Sequence, residues 1–141
     1  MSDESRERLL SAYRATTYRA DVEGRSVDLR IGAAVALDGP LAGLEWAFVT
    51  AANPGSRLLE SAANLLRHER LKARLADCDV VLFEGQGVSD AADWEPEISL
   101  LVLGIGREQA VAIGRDFGQL AIVCGRPGGV AELVACTQSK S

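Results

Sequence analysis

Four short apolar runs constrain this chain most: WAFVTAA (46–52), VVLF (80–83), ISLLVLGI (98–105) and QLAIVCG (119–125). None approaches the roughly 20 residues that a membrane-spanning helix needs. The first barely alternates between apolar and polar residues, which marks a strand covered on both faces. Helical patterns supply the covering layer. Residues 3–14 carry a Leu9, Leu10, Tyr13 stripe, a helix is expected over about 54–76, and 107–118 set Ala110, Ile113, Gly114 and Phe117 on one side.

Between the first helix and the first apolar run lies a hairpin signal. Tyr18, Ala20 and Val22 alternate with polar residues, and Val27, Leu29 and Ile31 do so after Glu23-Gly24. Charge chooses the register. A turn at Glu23-Gly24 sets Arg19 opposite Asp28, whereas a shift by one residue sets Asp21 against Asp28 and Arg19 against Arg30. Like charges directly opposite are unfavourable, so the first register is expected.

Asp38-Gly39-Pro40 and Arg126-Pro127-Gly128-Gly129 read as turns and 84–97 as a polar, glycine-bearing loop. VAELVA (130–135) reads as a last helical turn and 135–141 as a frayed tail. The expected fold is therefore α/β or α+β. It is one domain over 1–141, opening with a helix at 2–14 and an N-terminal hairpin, with helices packed on a mixed sheet of about five to six strands.

Composition removes several functions. The formal net charge of −5 opposes binding to nucleic acid backbones and to anionic lipid. The opening MSDESRERLLSAYR lacks the apolar centre of a secretion signal, and the three cysteines, an odd number, form no close pair. A cytoplasmic protein is expected. His68 is the one histidine and reads as a surface residue, and the cysteines lack zinc spacing, so no metal site is expected. GIGREQ (104–109) has Gln109 where a dinucleotide fingerprint needs glycine or alanine, and GQGVSD fails likewise. There is no phosphate-binding lysine loop and no nucleophile elbow. No cofactor and no enzyme class is assigned.

Two segments remain as a candidate site. Asn53-Pro54-Gly55-Ser56 ends the first apolar run and opens the long helix. Asn53 suits an N-cap and Pro54 the first helical position, with Ser56 a rival cap. Backbone N–H groups there would face an anion at the strand's end, or they would simply be capped as every helix start must be. In the helix that follows, Leu58, Leu59, Ala62, Ala63, Leu65 and Leu66 share a broad face expected to lie on the sheet. Arg57, Ser61, Asn64 and His68 form a narrower stripe continued by Leu71 and Leu75, a wall for a groove or a solvated edge.

The second segment, DWEPEISLLVLG, places Trp94, Glu95 and Glu97 where a loop enters a buried strand. Glu97 can act as general base, ligand anchor or cation ligand, or pair structurally, and Glu84 at the loop's other end can approach it. Gln119 enters the last strand, where a buried amide needs partners.

YRATTY, TAANPGS, the AAN at 62–64, WEPEISLLVLGI and FGQLAIV follow one another in an order that resembles a bacterial domain family of unknown function, family 3293. The resemblance covers roughly residues 10–134. It places motif residues on Tyr13, Thr16, Thr50, Asn53, Pro54, Ser56, Asn64, Trp94, Glu97, Ser99, Phe117 and Gln119. Ala52 departs from the larger residue the family often has there. The resemblance implies a small cytosolic bacterial protein and no nameable activity.

The expected ligand-binding set is thus Thr50, Asn53, Ser56, Arg57, Asn64, Trp94 and Gln119, with Glu97 as the candidate catalytic group. A small-molecule, anionic or nucleotide-like ligand is expected, with nucleic acid disfavoured and no membrane. The alternative is a noncatalytic module in which these residues brace loops while another surface meets a protein partner or a second copy.

Overall fold

The computed structural model describes residues 3–35, 37, 43–90 and 95–136. Its elements are α1 (Asp3–Arg14), β1 (Thr16–Val22), β2 (Arg25–Leu29), β3 (Trp46–Val49), α2 (Ser61–Ala76), β4 (Val81–Ser89), β5 (Glu97–Leu103), α3 (Arg107–Asp116), β6 (Ala121–Gly125) and β7 (Glu132–Ala135). The strands form one seven-stranded sheet in the order β2-β1-β4-β5-β3-β6-β7. Every ladder between them is antiparallel. Bridges from Ile31 to Ala131 and from Ala34 to Val130 tie the segment after β2 to the start of β7, so the sheet curls back on itself.

The α+β class is as the sequence predicts, with seven strands in place of five or six. The hairpin register also follows the charge argument: Arg19 faces Asp28 and Val22 faces Arg25. The Arg19 guanidinium meets the Asp28 carboxylate at 2.7 Å.

The added strand, β7, and the extension of the expected strand β4 beyond Phe83 lie in segments read otherwise. β4 runs through Glu84-Gly85-Gln86-Gly87, read from its glycines as loop, because ladders with β1 and β5 hold it from both sides. The expected helical turn at VAELVA is strand β7, which pairs Ala135 with Ala121, and Cys136 N–H bonds Leu120 O. Ala135 and Cys136 are therefore part of the fold, while 137–141 lie outside the described residues. The Asp38-Gly39-Pro40 turn lies outside them as well.

The sheet separates two apolar clusters. On its outer face α2 and α3 cover Ala47, Val49, Leu100, Val102 and Ile122 with Leu71, Leu75, Ala110 and Ile113. The inner face of the curl holds Tyr18, Ala20, Leu29, Trp46, Phe48, Leu101, Leu103 and Val123. All four residues of β3 are buried, as a strand with both faces covered requires.

The phase of α2 is the main correction. Its buried residues are His68, Leu71 and Leu75, so the narrow stripe faces the sheet. Leu58, Leu65 and Leu66 of the broad apolar face are 69%, 52% and 54% exposed. Specific partners explain the choice. Asn64 bonds the Asn53 segment, and His68, 1% exposed rather than on the surface, sets Nε2 2.8 Å from Glu84. Lys72 meets the same carboxylate at 3.2 Å. Burial pushes the Glu84 carboxyl up, but its bonds to His68 and Lys72 outweigh that and leave it below the usual range. No described helix is long and apolar enough to cross a membrane.

Candidate functional site

The polar turn after β3 is not a helix cap. Pro54–Ser56 make a single 3₁₀ turn with no side-chain cap, and α2 starts only at Ser61 after Glu60. The expected anion site at a helix N-terminus is therefore absent from this turn. Asn53 instead adopts φ 48°, ψ 59°, the left-handed conformation that asparagine tolerates better than most residues.

This conformation turns the Asn53 side chain into a junction. Its Oδ1 accepts from Leu59 N–H at 2.9 Å and from Asn64 Nδ2 at 2.9 Å. Asn64 Oδ1 accepts from Asn53 N–H at 2.9 Å. With its oxygen held by a backbone donor, Asn53 must aim Nδ2 the other way, where it donates to Glu97 Oε2 at 2.9 Å. The two predicted segments, 44 positions apart, thus touch directly.

Neighbouring elements fix the junction. Thr50 Oγ1 donates to Ile98 O at 2.7 Å and accepts from Ala52 N–H at 3.0 Å, locking the end of β3 to the start of β5. Gly55 N–H bonds Gly118 O at 2.8 Å. Pro54 packs so closely on Gly118 that a Cβ there would lie 2.8 Å from the proline Cβ. Arg67 carries no signal in the sequence: its Nε donates to Ala51 O at 2.5 Å and its Nη2 to Phe117 O, clamping the ends of β3 and α3. Gln119 Nε2 donates to Ala52 O at 3.0 Å.

Beside this junction, on the inner face, lies a cavity of about 440 Å³. That is within the range of small-molecule sites, roughly 300–1,000 Å³. Thr50, Asn53, Glu97 and Gln119 of the expected set line it. Asn64 acts behind Asn53, and exposed Arg57 lies away from the cavity. The Ser56 side chain and Trp94 lie outside the described residues. Glu84 does not pair with Glu97. It stands opposite Leu100 on the helix-covered face, while Glu97 shares the inner face with Ser99 and Leu101.

The rest of the lining comes from the N-terminal third. Tyr13, Tyr18 and Phe48 form aromatic walls, with the Tyr18 and Phe48 rings edge to face at 5.3 Å. Helix α1 is seated over the cavity because the carbonyls at its C-terminal end are occupied. Thr16 Oγ1 bonds Ala12 O, Tyr18 Oη bonds Tyr13 O, Arg30 Nη2 bonds Arg14 O, and Asp90 N–H bonds Ala15 O. Tyr13 and Thr16 are marked by the family resemblance alone. Tyr18 and Phe48 carry only the signals of ordinary strand residues, and Gly87 reads as loop.

Two glycines make the room. Gly85 and Gly87 of β4 stand opposite Ser99 and Glu97. A Cβ at Gly85 would lie 2.6 Å from Arg19 O and 3.0 Å from the Phe48 ring, whereas one at Gly87 would meet Thr16 Cγ2 at an ordinary 3.6 Å.

Burial raises Glu97 above the usual carboxylate range, and the Asn53 amide partly opposes this. Tyr13 is pushed up to about 12 by burial first and the Glu97 charge second. Tyr18 moves the same way, mainly through burial. Both phenols keep their protons at neutral pH. Among the described residues no cluster of His, Cys, Asp and Glu could hold a metal ion.

The family model described as protein of unknown function (DUF3293) matches residues 49–122, more than half of the 141-residue chain. The chain belongs to DUF3293. Neither the curated proteins nor the solved structures give a significant match. The DUF3293 match contains the Asn53, Asn64, Glu97 and Gln119 junction, whereas α1 and β1, which wall the cavity, lie outside the matched range.

Proposed function

We propose that this DUF3293 chain binds a small organic molecule in the cavity between α1 and the inner face of the sheet. The observation that carries the reading is Glu97. A carboxylate with one oxygen held by Asn53 and its charge disfavoured by burial is retained on the wall of a ligand-sized space. A group kept against a burial penalty, beside aromatic walls, is what a binding or proton-accepting site requires.

The second reading is a noncatalytic module, and a specific observation favours it. Leu65 and Leu66 of α2 are adjacent large apolar side chains left 52% and 54% exposed, as a protein contact would use. On that reading the Asn53–Glu97 junction only braces loops.

Glu97→Gln separates the two. The substituted amide keeps an oxygen that can accept from Asn53 Nδ2, so geometry is retained while charge is removed. Below the ordinary glutamate value of 4.5, Glu97 is protonated in both the folded and the unfolded chain and carries no penalty. As pH rises, the unfolded chain ionises first, so the stability of the wild type falls until the pH passes the raised folded value. Glu97→Gln is therefore expected to melt above the wild type at neutral pH, with the gain shrinking to nothing below 4.5. Thermal melts across pH measure this. A variant that melts below the wild type at neutral pH marks Glu97 as a brace and supports the module. The same melts against a metabolite library read ligand binding directly, and a library without any wild-type shift weighs against the cavity reading.

A further inference from the structure

The polar groups around the cavity are unequal in what they have left to offer. Thr50 has spent its hydroxyl proton on Ile98 O, Ser99 on Glu97 O and Tyr18 on Tyr13 O. The orientations of both amides are fixed by backbone partners. Gln119 Nε2 faces the Ala52 and Phe117 carbonyls at 3.0 and 3.5 Å, which sets its Oε1 away from them. Asn53 Nδ2 is committed to Glu97 Oε2. Among the described residues, Glu97 Oε1 and Gln119 Oε1 have no hydrogen-bond partner, and both side chains line the cavity. The remaining charged lining groups are Arg8 and Glu95, both exposed, so the cavity's charged side chains are two carboxylates against one guanidinium.

From this donor and acceptor balance we infer that the cavity selects a small planar molecule presenting N–H donors, as an amidine, guanidine or amide edge does, and disfavours anions. The inference rests on the cavity being a ligand site and specifies which chemistry it takes. Unpaired acceptors beside aromatic walls reward a flat donor edge, because the acceptors regain hydrogen bonds lost on leaving water and the rings cover the planar faces. A carboxylate guest would instead set its oxygens against Glu97 and Gln119 Oε1, with only the exposed Arg8 guanidinium and the Tyr13 hydroxyl to attract it.

Three fragments of nearly equal shape test the inference on the full chain: benzamidine, benzamide and benzoate. The readout is titration followed by nuclear magnetic resonance of the Asn53 and Gln119 side-chain amides. Benzamidine is expected to bind about tenfold or more tightly than benzoate, the difference a charge-assisted bond supplies. Glu97→Gln should weaken benzamidine about tenfold and leave benzamide within about twofold. Benzoate binding most tightly at these amides overturns the donor inference and leaves the cavity reading standing. Equal binding of all three, unchanged in Glu97→Gln, also overturns it. If no fragment moves either amide at millimolar concentration, the cavity reading falls and the inference with it.

Discussion

Replacing Asn53 by alanine is expected to destabilise the fold by about 3–5 kcal/mol in chemical denaturation. The side chain accepts from Leu59 N–H and Asn64 Nδ2 and donates to Glu97, so truncation strands a part-buried backbone donor and a half-buried carboxylate and leaves Asn64 Nδ2 with only its 3.4 Å contact to Leu59 O. Each orphaned buried group costs about 1–3 kcal/mol. A second contribution comes from the backbone, since φ 48° is strained for alanine. Asn53→Gly isolates that contribution. It loses the same hydrogen bonds without the strain and should be more stable than Asn53→Ala by about 1 kcal/mol. If Asn53→Ala melts like the wild type, the junction does not hold the site together.

Gly125→Ala should be comparably damaging for an unrelated reason. Gly125 pairs with Trp46 across β6 and β3, and the indole lies over the glycine. A Cβ there would sit 2.3 Å from the ring's Cε2 and Nε1 atoms. Trp46 is 2% exposed and packed in the inner cluster, so the ring cannot swing clear. Overpacking of this kind costs about 3 kcal/mol. Trp46→Leu alone opens a hole and costs about 3 kcal/mol too. Combined with Gly125→Ala it removes the clash, so the double variant should be clearly more stable than the sum of the two losses implies. Strict additivity would show that the indole does not meet position 125.

Where residues act through near neighbours or simple charge, the sequence predicts the outcome. Arg19 and Asp28 select the hairpin register, and WAFV is buried on both faces. The meeting of Asn53 with Glu97 is suggested by the chain, because both sit where a polar segment joins a buried strand, but it depends on β3 and β5 being neighbours, an order the sequence does not show.

The failures share a cause: a partner remote in sequence outweighs a local pattern. Leucine periodicity sets the wrong face of α2 on the sheet because His68 and Asn64 find Glu84 and Asn53 there. Glycines 85 and 87 look like a loop until two flanking strands hold them extended. The cap reading of Asn53 fails because its oxygen is drawn forward to Leu59, past the 3₁₀ turn. The roof of the cavity is least legible, since no local signal in residues 3–14 says where that helix will lie.

The two glycines of β4 differ in a way that bears on how such a scaffold diversifies. At 85 a methyl group would strike a main-chain oxygen, so that position is closed to change. At 87 the nearest atoms stand at 3.6 Å or beyond, so a Cβ fits there at ordinary contact distance. If the proposed cavity holds a guest, substitution at 87 is expected to narrow the space without touching the Asn53–Glu97 contact.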